Sequence, residues 1–323
     1  AVPKRDVARY HESTGTTGVP AASWYTREDI ETGARQVLEC GAGLCADDLV
    51  LVRFPYALAL PAFLIEKAAE LTGAGTIPAG SRNAVTPYPK VLQLLERLEA
   101  TVMAGLPREM ELLALTARLE GRPARGRFPA LRALITAGEL LGERRRRHLE
   151  RLWGVPVYNL YGSTETGNIA ASCEYGALHV TERDFLVEVL DETGSPAPAG
   201  ERGFAAITTL SHRGSPLLRY YNEDVVSLRP SACPCGRTGA LLTHYGRARE
   251  RIRCGGVRLD ALDIQEAVYS LDPVPDAWLA EEGEDGILFT LDYAGGSGGV
   301  PPIGPDRAGA ALRLDHDAEP GLE

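Results

Sequence analysis

The first half of the chain alternates between two hydrophobic periodicities. Residues 26–38 carry Ile30, Ala34, Val37 and Leu38 at helical spacing, with Thr26 placed to cap and Glu28 and Asp29 in the first turn, which predicts an amphipathic helix. Residues 47–54 are a short apolar run and predict a strand, and 57–71 predict a helix leading to a strand at 75–78. A helix at 88–98 follows, with Val91, Leu92, Leu94, Leu95 and Leu98 apolar, then a strand at 101–106, a strand within 131–139 and a helix at 140–153. Such alternation predicts an α/β fold around a largely parallel sheet, whose ligands gather at the carboxyl ends of the strands.

Beyond this point the pattern shortens. Residues 178–190, 203–210 and 217–220 are β-like runs broken by a Gly/Pro/Ala-rich hairpin segment at 191–200, and predict a β-rich subdomain. A Gly-Gly turn then precedes a helix with Ile264, Ala267, Val268 and Leu271 on one face, followed by a strand at 286–291 and a tail with little periodicity.

Chemistry concentrates where the two patterns meet. The apolar run 155–160 feeds into NLYGSTETG, residues 159–167, a turn with an aromatic, a glycine, two hydroxyls and a carboxylate in succession. Tyr161 offers a flat face to a base, Gly162 lets backbone come close, and Ser163 and Thr164 are donors for phosphate oxygens. Glu165 is the hard oxygen ligand that Mg²⁺ prefers. A plain polar turn after a buried strand is the competing reading. Residues 13–20, STGTTGVP, form a second donor-rich loop suited to a polyphosphate, although no lysine follows Gly18 as a P-loop requires.

Composition narrows the class. The chain has 323 residues, 44% hydrophobic and 24% charged, enough for a large domain and a small one or for two of ordinary size. Its net charge of −10 disfavours nucleic-acid binding by general electrostatics, and Arg144, Arg145, Arg146 and Arg147 are read as a solvated helix face. Without a long apolar run or a signal-peptide pattern at the start, the expected setting is cytoplasmic, with no membrane partner. Of six cysteines, Cys173, Cys233 and Cys235 combine with His179 into a set of three thiolates and one imidazole, which predicts a closed, structural tetrahedral Zn²⁺ site. Two unrelated free-cysteine spots are the alternative. Cys40, Cys45 and Cys254 are expected to be buried thiols.

Taken together, 13–20 and 159–167 resemble the phosphate loop and core motif of the adenylate-forming superfamily, enzymes that activate carboxylates as acyl-AMP. The stretch 176–210 and the Cys/His set are similar to its phenylacetate-CoA ligase-like branch. The resemblance covers about residues 13–271, and the chain looks shortened at both ends. It implies the adenylate-forming fold: a large α/β domain, 1–245, with a β-rich subdomain at about 172–245, and a small, mobile α+β domain, 246–323. It implies ATP/AMP contacts from Ser13, Thr14, Gly15, Thr16, Thr17, Gly18, Ala137, Gly138, Glu139, Tyr161, Gly162, Ser163 and Asp224, the last on the ribose hydroxyls. Thr164, Glu165 and Arg247 take the catalytic roles, with Mg²⁺ on Glu165, and Tyr56, Ala137 and Gly162 line the acid pocket. Arg249 stands at the hinge. The family's C-terminal lysine has no counterpart, since no lysine follows Lys90, and Arg307 and Arg313 are the remaining tail arginines.

The activity implied is adenylation of a small, aryl carboxylic acid with release of pyrophosphate. Transfer to coenzyme A, a carrier protein or an amine follows, with a homodimer as the assembly. Adenylation of a small anion such as nitrite, and a degenerate non-catalytic nucleotide-binding protein, are the alternatives.

Overall fold

The computed structural model describes residues 2–13, 20–254, 257–283 and 286–293. It opens on an antiparallel hairpin of β1 (Val7–Glu12) and β2 (Ala22–Thr26), whose connection is the donor-rich loop. The next residues obey their capping signal. Thr26 Oγ1 accepts the Asp29 N–H at 3.2 Å while Asp29 Oδ2 accepts the Thr26 N–H at 2.7 Å, a capping box that starts α1 (Arg27–Leu38).

The α/β series runs β3 (Leu49–Val52), α2 (Pro61–Thr72), β4 (Gly75–Ile77), α3 (Tyr88–Arg97), β5 (Val102–Gly105), α4 (Pro107–Leu119), β6 (Ala133–Ala137), α5 (Glu143–Trp153) and β7 (Val157–Ser163). The helix expected from residue 57 starts at Pro61, because proline suits the first turn, and Ala57 lies at φ 60° in the preceding turn. Helix α5 starts three residues later than expected, after Gly142. Helix α4 was missed, although Met110, Leu113, Ala114 and Ala117 give it a buried face and Pro107 a start.

Strands β3 to β7 are covered on both sides, and alternate residues serve opposite cores. Val50 and Val52 pack with Ile30, Val37, Leu64 and Ile65 of α1 and α2. Leu51 packs with Leu95 of α3, Met110 and Leu113 of α4, and Leu149 and Trp153 of α5.

Then the direction reverses. Strands β8 (Gly167–Ser172), β9 (Leu178–Val180), β10 (Phe185–Leu190), β11 (Gly203–Thr209), β12 (Tyr220–Arg229) and β13 (Leu241–Arg247) join the same sheet, in the order β10-β11-β12-β13-β9-β8-β7-β6-β5-β3-β4. The largely parallel sheet expected for the first half is present, and the β-rich second half extends it into one mixed sheet. From β4 to β7 the pairing is parallel, and from β7 to β10 it is antiparallel. Short connections explain the change, since a tight turn allows only antiparallel pairing while a parallel return needs a crossover. Ile169, Phe185, Ile207 and Val226 form the core of this half. The run expected at 217–220 contributes only its last residue to β12, and Leu218 is exposed.

After β13 come β14 (Ile252–Cys254), β15 (Val257–Leu259), α6 (Ala261–Val268), and a hairpin of β16 (Ala277–Gly283) with β17 (Gly286–Asp292). Leu271 lies beyond the end of α6. Among the described residues no helix is long and apolar enough to cross a membrane. The four-arginine run is not one solvated face: Arg145 is buried, bonded to Glu111 and Glu139, because a helix turns too fast to keep four consecutive side chains on one side.

Candidate active site

Strands β3, β5, β6 and β7 end on one edge of the sheet, and Tyr56, Ala137, Gly138, Tyr161 and Gly162 lie at or just past those ends. Ala137 stands opposite Leu160, so Gly138 follows beside Tyr161. Gly138 has φ 80°, and a Cβ there would meet Leu106, just past β5, at 3.0 Å. Tyr56 lies beyond the end of β3, its hydroxyl donating to Glu66 Oε1 at 2.7 Å. Glu139 is committed to the helices behind this edge, where its Oε2 accepts the Arg108 backbone N–H at 3.0 Å and Arg145 Nη2 at 3.1 Å.

The β7–β8 turn is closed by its own hydroxyls. Thr166 Oγ1 accepts the Ser163 N–H at 3.1 Å, and Ser163 Oγ accepts the Thr166 N–H at 3.2 Å. Gly162 is required by contact, since a Cβ there would overlap the Gly167 carbonyl oxygen. The Thr164 carbonyl accepts the hydroxyl of Tyr25, from β2, at 2.7 Å. Glu165 sits half-buried at the tip, and its charge joins burial, the larger cause, in raising the Tyr25 and Tyr220 hydroxyls above their ordinary range. The carboxylate is therefore near enough to Tyr25 of β2 and Tyr220 of β12 for its charge to act on both.

A second carboxylate lies across the sheet. Asp224, on β12, is buried, and its Oδ2 accepts from Tyr161 Oη at 2.7 Å and Asn222 Nδ2 at 2.8 Å. Its Oδ1 faces His244 Nε2 at 3.5 Å and Arg247 Nε at 3.8 Å. Burial alone would raise this carboxyl, but His244, Tyr161 and the Arg247 charge outweigh it and hold the group below the usual carboxylate range. Asp224 is therefore an anion at neutral pH, with two donors on Oδ2 and two basic side chains facing Oδ1. Tyr161, whose ring packs 4.9 Å from His244, is buried as the prop of this carboxylate.

Tyr161, Asp224 and Arg247 are thus brought into contact. Ser13 pins the base of the donor-rich loop: its N–H donates to the Ala21 carbonyl at 3.0 Å, and its hydroxyl accepts the Ala21 N–H at 2.9 Å. Thr14, Gly15, Thr16, Thr17 and Gly18, like Arg307 and Arg313 in the tail, lie outside the described residues. Tyr25, Asn222 and His244 were missed. Asn222 sits inside the run that pointed to Asp224 and was within reach of closer reading, whereas Tyr25 and His244 carry no local signal.

Cys173 at the end of β8, His179 on β9, and Cys233 and Cys235 between β12 and β13 converge, with their ligand atoms all within 4.8 Å of one another. Cys173 Sγ is 3.6 Å from Cys233 Sγ, and Cys235 Sγ is 3.3 Å from His179 Nε2. Zinc bonds sulfur at about 2.3 Å and nitrogen at about 2.0 Å, which sets tetrahedral S–N and S–S spacings of about 3.5–3.8 Å, close to the separations seen here, so the donor set fits. Cys40 is buried, which pushes its thiol up to about 11. Cys45, expected to be buried, is exposed in the polar connection before β3.

Known proteins share this architecture. The family model described as AMP-binding enzyme matches residues 2–207. The phenylacetate-coenzyme A ligase of Thermus thermophilus is 29% identical over 288 residues, covering 85% of this chain and 62% of the relative. That of Aromatoleum evansii is 27% identical over 299 residues, covering 90% and 66%. A 2-hydroxyisobutyryl-CoA ligase, solved in the postadenylation state in complex with R3-HIB-AMP, superposes with a TM-score of 0.81 at 22% identity, covering 90% of this chain and 63% of that one. The chain therefore spans somewhat less than two thirds of the length of these proteins. With the family model covering more than half of its residues, the chain belongs to the AMP-binding, adenylate-forming enzymes, in their phenylacetate-CoA ligase-like branch.

Proposed function

We propose that the protein activates a small organic acid, an aryl carboxylic acid in the first instance, by ATP-dependent adenylation and passes the acyl group to coenzyme A. The observation that carries this is Asp224, buried, ionised and flanked by Tyr161 and Arg247, with Glu165 at the tip of the hydroxyl turn that follows Tyr161. Asp224 suits the ribose hydroxyls, Ala137 and Gly138 the adenine, and Arg247 the nucleotide's ribose and phosphate. A carboxylate oxygen of the acid attacks the α-phosphorus, the bond to the bridging oxygen breaks, and pyrophosphate leaves. The coenzyme A thiolate then attacks the acyl carbon and AMP departs. No group on the protein needs to bond covalently to the substrate, so its contribution is position and charge.

Glu165 would hold Mg²⁺, which supplies neutralisation of the charge developing on the phosphates. Cys173, His179, Cys233 and Cys235 would hold Zn²⁺ as a staple joining β8 and β9 to the β12–β13 connection, away from the chemistry. Pyrophosphate release from ATP, Mg²⁺ and a panel of aryl and aliphatic acids, with nitrite included, tests the reading. Acid-dependent release that Glu165→Ala removes is the expected result. ATP binding without release for any acid would refute it.

A further inference from the structure

Helix α5 has Gly142 at its N-cap, a residue with no side chain to cap it, and the start of a helix exposes backbone N–H groups that need acceptors. The acceptors come from another element. Gln265 Oε1 of α6 takes the Gly142 N–H at 2.7 Å, and Glu266 Oε1 takes the Arg144 N–H at 3.0 Å. Gln265 Nε2 donates to the Leu140 carbonyl at 3.2 Å, so one buried amide grips the connection at both ends. A Cβ on Gly142 would press on Glu266, Leu262 and Gln265, and one on Gly246 would meet Ala261 Cβ at 2.6 Å. Two glycines therefore form the cradle in which α6 lies.

One turn on, the contact reaches deeper. Tyr269 Oη donates to Glu111 Oε1 at 2.6 Å, Arg145 Nε donates to the same oxygen at 2.9 Å, and Arg145 Nη2 bridges Glu111 Oε2 and Glu139 Oε2, each at 3.1 Å. Arg145 Nη1 donates to the Leu140 carbonyl at 2.9 Å. Burial raises the Glu111 carboxyl, but Arg145 outweighs it and keeps the group below its usual range, an anion in a buried network. Residues 139–144, which continue directly from Ala137 and Gly138, are held on one side by α6 and its C-terminal end.

We propose that α6 positions the nucleotide loop: Gln265, Glu266 and Tyr269 set the conformation of residues 139–144, so that docking of α6 and nucleotide affinity are coupled. The idea rests on the nucleotide role of Ala137 and Gly138 proposed above. Coupling is reciprocal in binding free energy, which gives a readout that a merely structural contact lacks. AMP added to the parent protein is expected to slow amide exchange at Gly142, Arg144 and along α6. Gln265→Leu and Tyr269→Phe are expected to speed exchange at Gly142 and Arg144 and to weaken AMP binding about 5- to 20-fold by calorimetry. Gly142→Ala, which pushes α6 away from the other side, is expected to do the same, and circular dichroism verifies that each variant is folded.

Faster exchange in folded variants with unchanged AMP affinity would overturn the coupling, as would AMP that leaves α6 exchange untouched in the parent. A parent protein that does not bind AMP at all would overturn the nucleotide reading itself, and this inference with it.

Discussion

Asp224 and Arg247 stand opposite one another across the β12–β13 pair, with Arg247 Nε 3.8 Å from Asp224 Oδ1. Their register places a buried anion and a half-exposed cation at one point, although 22 positions separate them in the chain. The same carboxylate gathers Tyr161 from β7, so three segments meet at one charge.

Tyr161→Phe keeps the ring and removes the donor to Asp224 Oδ2, leaving Asn222 alone there. A hydrogen bond to a charged group contributes about 1.5–3 kcal/mol, so the denaturant midpoint should fall accordingly, and AMP affinity should fall with it. Unchanged stability and affinity would show that Tyr161 does not prop the carboxylate.

Gly162→Ala places a methyl against the Gly167 carbonyl oxygen across the hairpin. Forcing backbone apart in this way costs about 1–3 kcal/mol and displaces the turn that carries Glu165. The expected result is lower thermal stability together with loss of acid-dependent pyrophosphate release; full release by the variant would mean that the turn tolerates rearrangement.

Burial holds His11, His148 and His212 below the ordinary histidine value of 6.5. Each takes a proton less readily when folded, so the unfolded chain binds more protons once the pH drops below 6.5. The stability tied to these groups is complete above that value and is lost as the pH falls through their depressed folded values. Urea midpoints should therefore be lower at about pH 5.5 than at about pH 7.5, with His212→Phe recovering part of the difference. A variant whose pH dependence matches the parent's would remove His212 from this account.

Freshly purified protein should contain one zinc per chain by atomic emission, and Cys173→Ser should abolish it. Chelation should lower Tm by more than about 5 °C, because the metal binds the folded arrangement of four ligands from three segments. Metal-free protein with undiminished Tm would make the cluster a set of free thiols.

Much of this molecule is legible along the chain. The Thr26 capping box, the helical faces of α1 and α3, the apolar run before Tyr161 and the turn that follows all depend on contacts within a few residues, where propensity and period act directly. The family pattern pointed to Asp224 and Arg247 for the same reason: each lies in a short run with its own character. Tertiary structure decided the rest. The sheet turns from parallel to antiparallel at β7 because a tight turn there leaves no crossover, a matter of connection length that periodicity does not carry. Tyr25 reaches Thr164, Gln265 caps α5, and Arg145 turns inward to join Glu111, each across many positions of sequence. Such pairings are set by strand register and helix docking, where a buried donor finds its acceptor only after the chain has folded around both.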